Sequence, residues 1–161
     1  KLNFRNFEGL CILELFQKNI SFQRRIKFLL RGKESSTDFI VKNAPNSLKK
    51  RLLNKTEFKN YSCEELNLKL FRFDKDDIID QLFFDCSDKK ISEKKFVKFY
   101  NHSVAFKRKK MPINGDDLLK IGFKPGRIMG DALNELELLW VEKKFKCTRK
   151  ECIKFVKNFL P

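Results

Sequence analysis

A chain of 161 residues with 42% hydrophobic content and 18 Phe can form one domain or two small helical subdomains, and is too apolar to be disordered. Its 36 Lys and Arg against 21 Asp and Glu give a formal net charge of +15, a field that gathers polyanions such as nucleic acid. No apolar run approaches the roughly 20 residues that cross a bilayer, and the scattered cysteines Cys11, Cys63, Cys86, Cys147 and Cys152, with His102 as the one histidine, form neither a disulfide framework nor a zinc-ligand set.

Helical spacing recurs along the chain and strand alternation does not. Phe7, Leu10, Cys11, Glu14 and Leu15 follow the first helical pattern. Ser21 is placed to cap a basic helix from Phe22 to Arg31 that stops at Gly32. Its apolar face reads as Phe22, Ile26, Leu29 and Leu30, with Arg24, Arg25, Lys27 and Arg31 mostly outside. A short helix is expected from Thr37 to Lys42, and Pro45-Asn46-Ser47 opens another that carries Leu48, Leu52 and Leu53. Ser62 and Glu65 form a capping-box pattern ahead of Leu66, Leu70 and Phe73. Asp74 is the expected cap of Lys75 to Cys86, whose buried side reads Ile78, Ile79, Leu82 and Phe83. From Glu93 to Phe106 the inward residues read Phe96, Val97, Phe99, Tyr100 and Val104. The charged run Lys107-Arg108-Lys109-Lys110 then marks the boundary between a body subdomain, 1–106, and a tail subdomain, 107–161. Ile128, Met129, Ala132, Leu133, Leu136, Leu139 and Trp140 make an apolar stripe on Arg127 to Val141. Thr148 and Glu151 form a second capping box for a last helix burying Cys152, Ile153, Val156, Phe159 and Leu160. The expected architecture is all-α, an irregular stack of about eight or nine short helices.

The tail holds the most informative stretch, Met111 to Glu137. Leu118, Leu119 and Ile121 end at Gly122, which takes φ > 0 without steric cost. Pro125 cannot extend the preceding helix, and a new helix begins near Gly126 or Arg127 with its first backbone N–H groups lacking internal acceptors. Those amides, with Lys124 and Arg127 beside them, make a cradle for a phosphate.

With Pro112, Gly115, Asp117, Leu118, Gly122, Pro125, Gly126, Gly130, Leu133 and Glu137 at their spacing, this stretch resembles the C-terminal signature of class II CCA-adding tRNA nucleotidyltransferases and the related bacterial poly(A) polymerases. Arg127 stands where that family usually has a second proline. Ser21 to Leu53 more weakly resembles the helical body that precedes the signature. The resemblance implies a cytoplasmic tRNA-binding portion, body and tail, of an enzyme whose separate catalytic head uses Mg and CTP or ATP. No cofactor is expected in this chain itself.

Catalytic residues are not expected here. Nucleotidyl transfer needs paired carboxylates on a strand after a Gly-Ser turn, and the chain shows neither. Asp74, Asp76 and Asp77 read as the cap and first turn of a helix, as do Asp116 and Asp117. His102 lacks the His-Asp partners of a metal-dependent phosphohydrolase. Binding therefore carries the function. The candidate phosphate turn is Gly122, Lys124, Pro125, Gly126, Arg127 and Gly130, with Lys120 near it. The other candidate RNA contacts are three basic clusters: Arg24, Arg25 and Lys27 with Arg31; Lys49, Lys50 and Arg51; and Lys107, Arg108, Lys109 and Lys110. An alternative reading is a DNA-binding module that uses the same turn as a helix-hairpin-helix phosphate clamp.

Overall fold

The computed structural model describes residues 6–31 and 40–160. Among these, nine helices follow one another: α1 (Phe7–Phe16), α2 (Phe22–Leu30), α3 (Asn46–Leu53), α4 (Cys63–Arg72), α5 (Lys75–Ser87), α6 (Glu93–Ala105), α7 (Gly115–Lys120), α8 (Arg127–Glu142) and α9 (Arg149–Lys157). A further helical segment covers 40–43, and no strand occurs among the described residues. The all-α stack read from the spacing is the fold. The Gly32 stop and the start of the Thr37 helix lie outside the described residues.

The chain forms two compact units, one of residues 1–60 with 73–106 and one of 61–72 with 107–161. The expected division after residue 106 differs from this by α4. That helix packs on α8, buries Leu66 and Leu70, and joins α8 through an Arg72–Glu137 ion pair of 2.6 Å. Its apolar face finds its partner some 70 residues downstream, which no local spacing reveals.

In the first unit α5 is the central helix. Ile78, Ile79, Leu82, Phe83 and Phe84 are all buried, so it is enclosed nearly all round. Phe83 meets Phe96 and Tyr100 edge-on at 5.0 and 5.8 Å between centroids, and Phe28 meets Phe84 at 5.3 Å. These contacts hold α6 and α2 against it.

The packing of α2 corrects the sequence reading. Phe22 is 73% exposed, whereas Phe28 is fully buried and Arg24 is only 2% exposed. The helix turns its arginine inward because two carboxylates, Glu14 and Asp80, are buried completely. Leaving them without a cation would cost several kcal/mol each, more than the roughly 1.5–3 kcal/mol gained by burying a phenylalanine. Arg24 donates from Nε to Asp80 Oδ1 at 2.8 Å, from Nη1 to Glu14 Oε1 at 2.9 Å and to the Asn19 carbonyl at 2.8 Å. Its guanidinium also lies 4.0 Å from the centre of the Phe83 ring. Arg51, from α3, forks onto both oxygens of Asp80 at 2.8 Å, and Arg25 donates to Glu14 Oε2 at 2.7 Å. Four helices (α1, α2, α3 and α5) thus share one ionic lattice.

Two smaller expectations also change. Asp74 precedes α5 but makes no capping bond; it accepts from Lys50 Nζ at 2.9 Å instead. Val104 is half exposed, and Ser103 takes the inward position, donating to the Phe99 carbonyl at 2.8 Å.

The second unit is built around Ile113, Leu118, Phe123, Ala132, Leu136, Cys152 and Val156, which draw α7, α8 and α9 onto one core. The capping box expected at Thr148 and Glu151 is complete on α9, and α7 carries one that the sequence reading did not name, Asn114 with Asp117; at α4 the Glu65 amide donates to Ser62 Oγ, but the Glu65 carboxylate accepts from the Tyr61 amide. Arg149 joins the two helix starts by donating to both Asp117 oxygens, at 2.6 and 3.1 Å, and to the Pro112 carbonyl at 2.9 Å.

Replacing Arg24 by Met leaves Glu14 and Asp80 buried with one cation fewer, and urea denaturation should show a loss of about 3–5 kcal/mol. Lys50→Ala, which breaks an exposed pair with Asp74, should cost less than about 1 kcal/mol in the same assay.

Candidate nucleic-acid interface

The glycine–proline turn between α7 and α8 is fixed from both sides. At the end of α7 the Gly122 amide donates to the Leu119 carbonyl and the Phe123 amide to the Leu118 carbonyl, both at 3.1 Å. With Gly122 at φ 103° this is a Schellman motif. Its usual apolar contact is made by Leu118 and Phe123, both part of the core. Phe123 therefore anchors the turn while Lys124, Pro125 and Gly126 stand exposed.

Gly126 occupies the N-cap of α8 at φ 152°, ψ −168°, and offers no side chain to the helix start. The Gly130 amide is the first that closes onto the Gly126 carbonyl, at 3.2 Å. The amides of the first turn have no intrahelical acceptor and face the positive end of the longest described helix. Arg127 is 94% exposed and reaches only Asp131, at 3.6 Å. Ile128, expected in the apolar stripe, is instead half exposed beside the turn. A Cβ built on Gly130 would meet nothing within 4 Å. This glycine sits inside a helix with no packing reason to be small.

The other candidates fall into two groups. In the first unit Arg24, Arg25, Lys27, Arg31, Lys50 and Arg51 all face carboxylates of their own chain. A hydrogen bond to Asp80, helped by the charges of Asp80 and Asp76, holds Arg51 above the usual guanidinium range against the opposing effect of burial. Lys49 is half-buried on α3. In the second unit Lys107, Arg108, Lys109, Lys110 and Lys120 are all exposed. The sequence reading passed over a further set in this unit, Lys143, Lys144, Lys146, Lys150, Lys154 and Lys157, which are also exposed. They carry no motif, although the expected inward face of the last helix already leaves Lys150, Lys154 and Lys157 on its outer side.

The acidic residues at the start of α5 are engaged within the protein. Asp74 meets Lys50, Asp76 meets Arg51, and Asp77 meets Lys27 and Asn54, so the acidic run at the start of α5 is tied to cations and amides. No group of three potential metal ligands converges among the described residues. A cavity of about 300 Å³ lies in the first unit against Gln23, Arg51, Asn54 and Asp74. The same internally neutralised pairs line it. Burial pushes the Cys86 thiol up to about 11 and raises Cys147 and Cys152, which makes them poor nucleophiles. Among the described residues no helix is long and apolar enough to cross a membrane.

A helical module with a Phe123-anchored turn that exposes Lys124, Pro125 and Gly126 at the head of a long helix is the class of protein that these features define. Residues 41–156 match the family model for tRNA nucleotidyltransferase domain 2, and the chain belongs to that family. Comparison with curated proteins and with solved structures returns no match.

The two glycines of α8 should respond oppositely to alanine. Gly126→Ala forces a side chain into a left-handed conformation and should destabilise the chain by about 1–3 kcal/mol. Gly130→Ala should stabilise it by about 0.5–1 kcal/mol. Thermal denaturation of the two variants checks both signs.

Proposed function

We propose that this chain is the tRNA-docking portion of a class II CCA-adding nucleotidyltransferase or a poly(A) polymerase relative, working with a separate catalytic head that supplies Mg and CTP or ATP. The observation that carries this reading is the uncapped start of α8 at Gly126, exposed and flanked by Lys124 and Arg127. An RNA phosphate placed there accepts from the first amides of α8 and meets the positive end of its dipole. Lys124 and Arg127 supply the countercharge. Lys120, and Lys107 to Lys110 where the chain returns to this unit, extend the positive surface. Arg24 is left out of the interface because its guanidinium is engaged inside the protein. Arg25, Lys27 and Arg51 are left out because moving them onto a phosphate would uncover buried carboxylates.

Contacts of this kind fix the register and orientation of an RNA rather than read its sequence. In a nucleotidyltransferase, holding the duplex at a fixed distance from the chemistry converts binding into positioning of the 3′ end. The family membership supports tRNA as the ligand. Gly130 fits the same reading, since a helix-interior glycine without a neighbour gives up stability unless something approaches its backbone.

Binding of labelled tRNA, measured by fluorescence anisotropy at several salt concentrations, tests the proposal. With four to six phosphates contacted, log Kd should change with log salt at a slope of roughly 4 to 5. Lys124→Ala with Arg127→Ala should weaken binding by about 1–3 kcal/mol and flatten the slope by roughly 2. Gly130→Ala should weaken it while raising the melting temperature. Unchanged affinity in the double variant removes the turn from the interface. Tighter binding to duplex DNA than to tRNA of equal charge would favour the DNA-clamp alternative.

A further inference from the structure

The exposed face of α9 and the turn before it carry Lys143, Lys144, Lys146, Lys150, Lys154 and Lys157. Cys152 and Val156 point into the core of the second unit. At 100° per residue, Lys150, Lys154 and Lys157 fall within a narrow arc on the opposite side of the helix. The three lysines share this arc with no carboxylate: Glu151 lies about a quarter-turn away and accepts from the Thr148 amide and hydroxyl in the capping box. None of the six lysines is joined to a carboxylate by an ion pair in the structure.

Ordinary helix electrostatics accounts for only part of this. Lys154 and Lys157 lie in the last turn of α9, where cations complement the dipole. Lys150 lies in the first turn, where a cation is unfavourable. Its neighbour Arg149 is explained by Asp117; Lys150 has no such partner. Lys150 with Lys154, and Lys154 with Lys157, are like-charge pairs at the spacings where helices usually place opposite charges. Ahead of them, Lys144 and Phe145 both take left-handed backbone, at φ 52° and 61°, in the turn that presents Lys143, Lys144 and Lys146. An array that opposes its own helix at one end and repels itself along its length is stabilised when a polyanion covers it.

We infer that the lysine face of α9 is a second nucleic-acid contact, which grips the phosphates of one RNA strand in addition to the phosphate turn at α8. This rests on the tRNA-docking reading above. Lys150 to Lys157 spans about 10 Å of helix rise, the axial length of roughly three phosphates on one duplex strand. The face holds no exposed large apolar residue, so it lacks the wedge that a membrane-surface helix inserts between lipids. The core that fixes Phe123 at the turn also holds Cys152 and Val156, so both contacts belong to one compact unit.

The test compares four full-length chains by tRNA anisotropy between 50 and 200 mM salt: wild type, Lys124→Ala/Arg127→Ala, Lys150→Ala/Lys154→Ala/Lys157→Ala, and a control with the same charge loss in the first unit, Lys89→Ala/Lys94→Ala/Lys98→Ala. The α9 variant is expected to raise Kd about ten- to thirtyfold and to flatten the salt slope by roughly 2 to 3, with helicity by circular dichroism unchanged. The control is expected to change Kd less than about threefold. If the α9 variant binds like wild type while the turn variant weakens, the inference falls and the docking proposal stands; the face would then suit an acidic protein. Equal weakening by the control also overturns it, since net charge alone would be responsible. Absence of tRNA binding by the wild-type chain would remove the docking proposal and this inference together.

Discussion

The burial of two carboxylates is the constraint around which the first unit is organised. Glu14 and Asp80 are removed from water on α1 and α5, and an isolated buried charge is far more costly than any single apolar contact is favourable. Arg24 answers both carboxylates, Arg51 completes Asp80, and Arg25 completes Glu14. Once α2 is rotated to deliver Arg24, Phe28 enters the core and Phe22 leaves it. The planar fork of arginine suits this lattice, since the guanidinium groups of Arg24 and Arg51 each serve more than one acceptor and Arg24 also stacks on Phe83.

The lattice decides which of the many cations remain available. Those on α2 and α3 that look like a nucleic-acid surface in the sequence serve mainly to neutralise their own unit. In the second unit Arg72 and Arg149 pair with Glu137 and Asp117, Lys69 lies 4.0 Å from Glu65 and Arg127 3.6 Å from Asp131, while Lys143, Lys144, Lys146, Lys150, Lys154 and Lys157 join no carboxylate. A net charge of +15 is therefore a poor guide to where a polyanion sits. The uncapped glycine start of α8 differs from every capped helix start around it. Asn114 and Thr148 satisfy the helices on either side, and Gly126 leaves its helix open.

Much of this was legible in the sequence because it is local. The caps at Ser21 and Thr148 depend on residues within three positions, and the Schellman turn needs only Gly122 and its apolar neighbours. The stripe of α8 was read correctly except at Ile128. What failed depended on distant partners. The phase of α2 was misread because hydrophobic spacing gives Phe22 and Ile26 the inward face, and the carboxylates that reverse it lie on α1 and α5. The place of α4 in the second unit depends on α8. The lysines of α9 were passed over because they carry no motif, even though the expected inward direction of Cys152 and Val156 puts Lys150, Lys154 and Lys157 on one face.

Hydrogen exchange of the chain with and without tRNA tests the central claim most directly, because it reads the amides themselves. The account predicts slowed exchange across 127–129, whose amides precede the first closed bond of α8, and unchanged exchange in α2 and α3, whose arginines are engaged inside the first unit. Slowed exchange across α2 and α3 with none at 127–129 would contradict it.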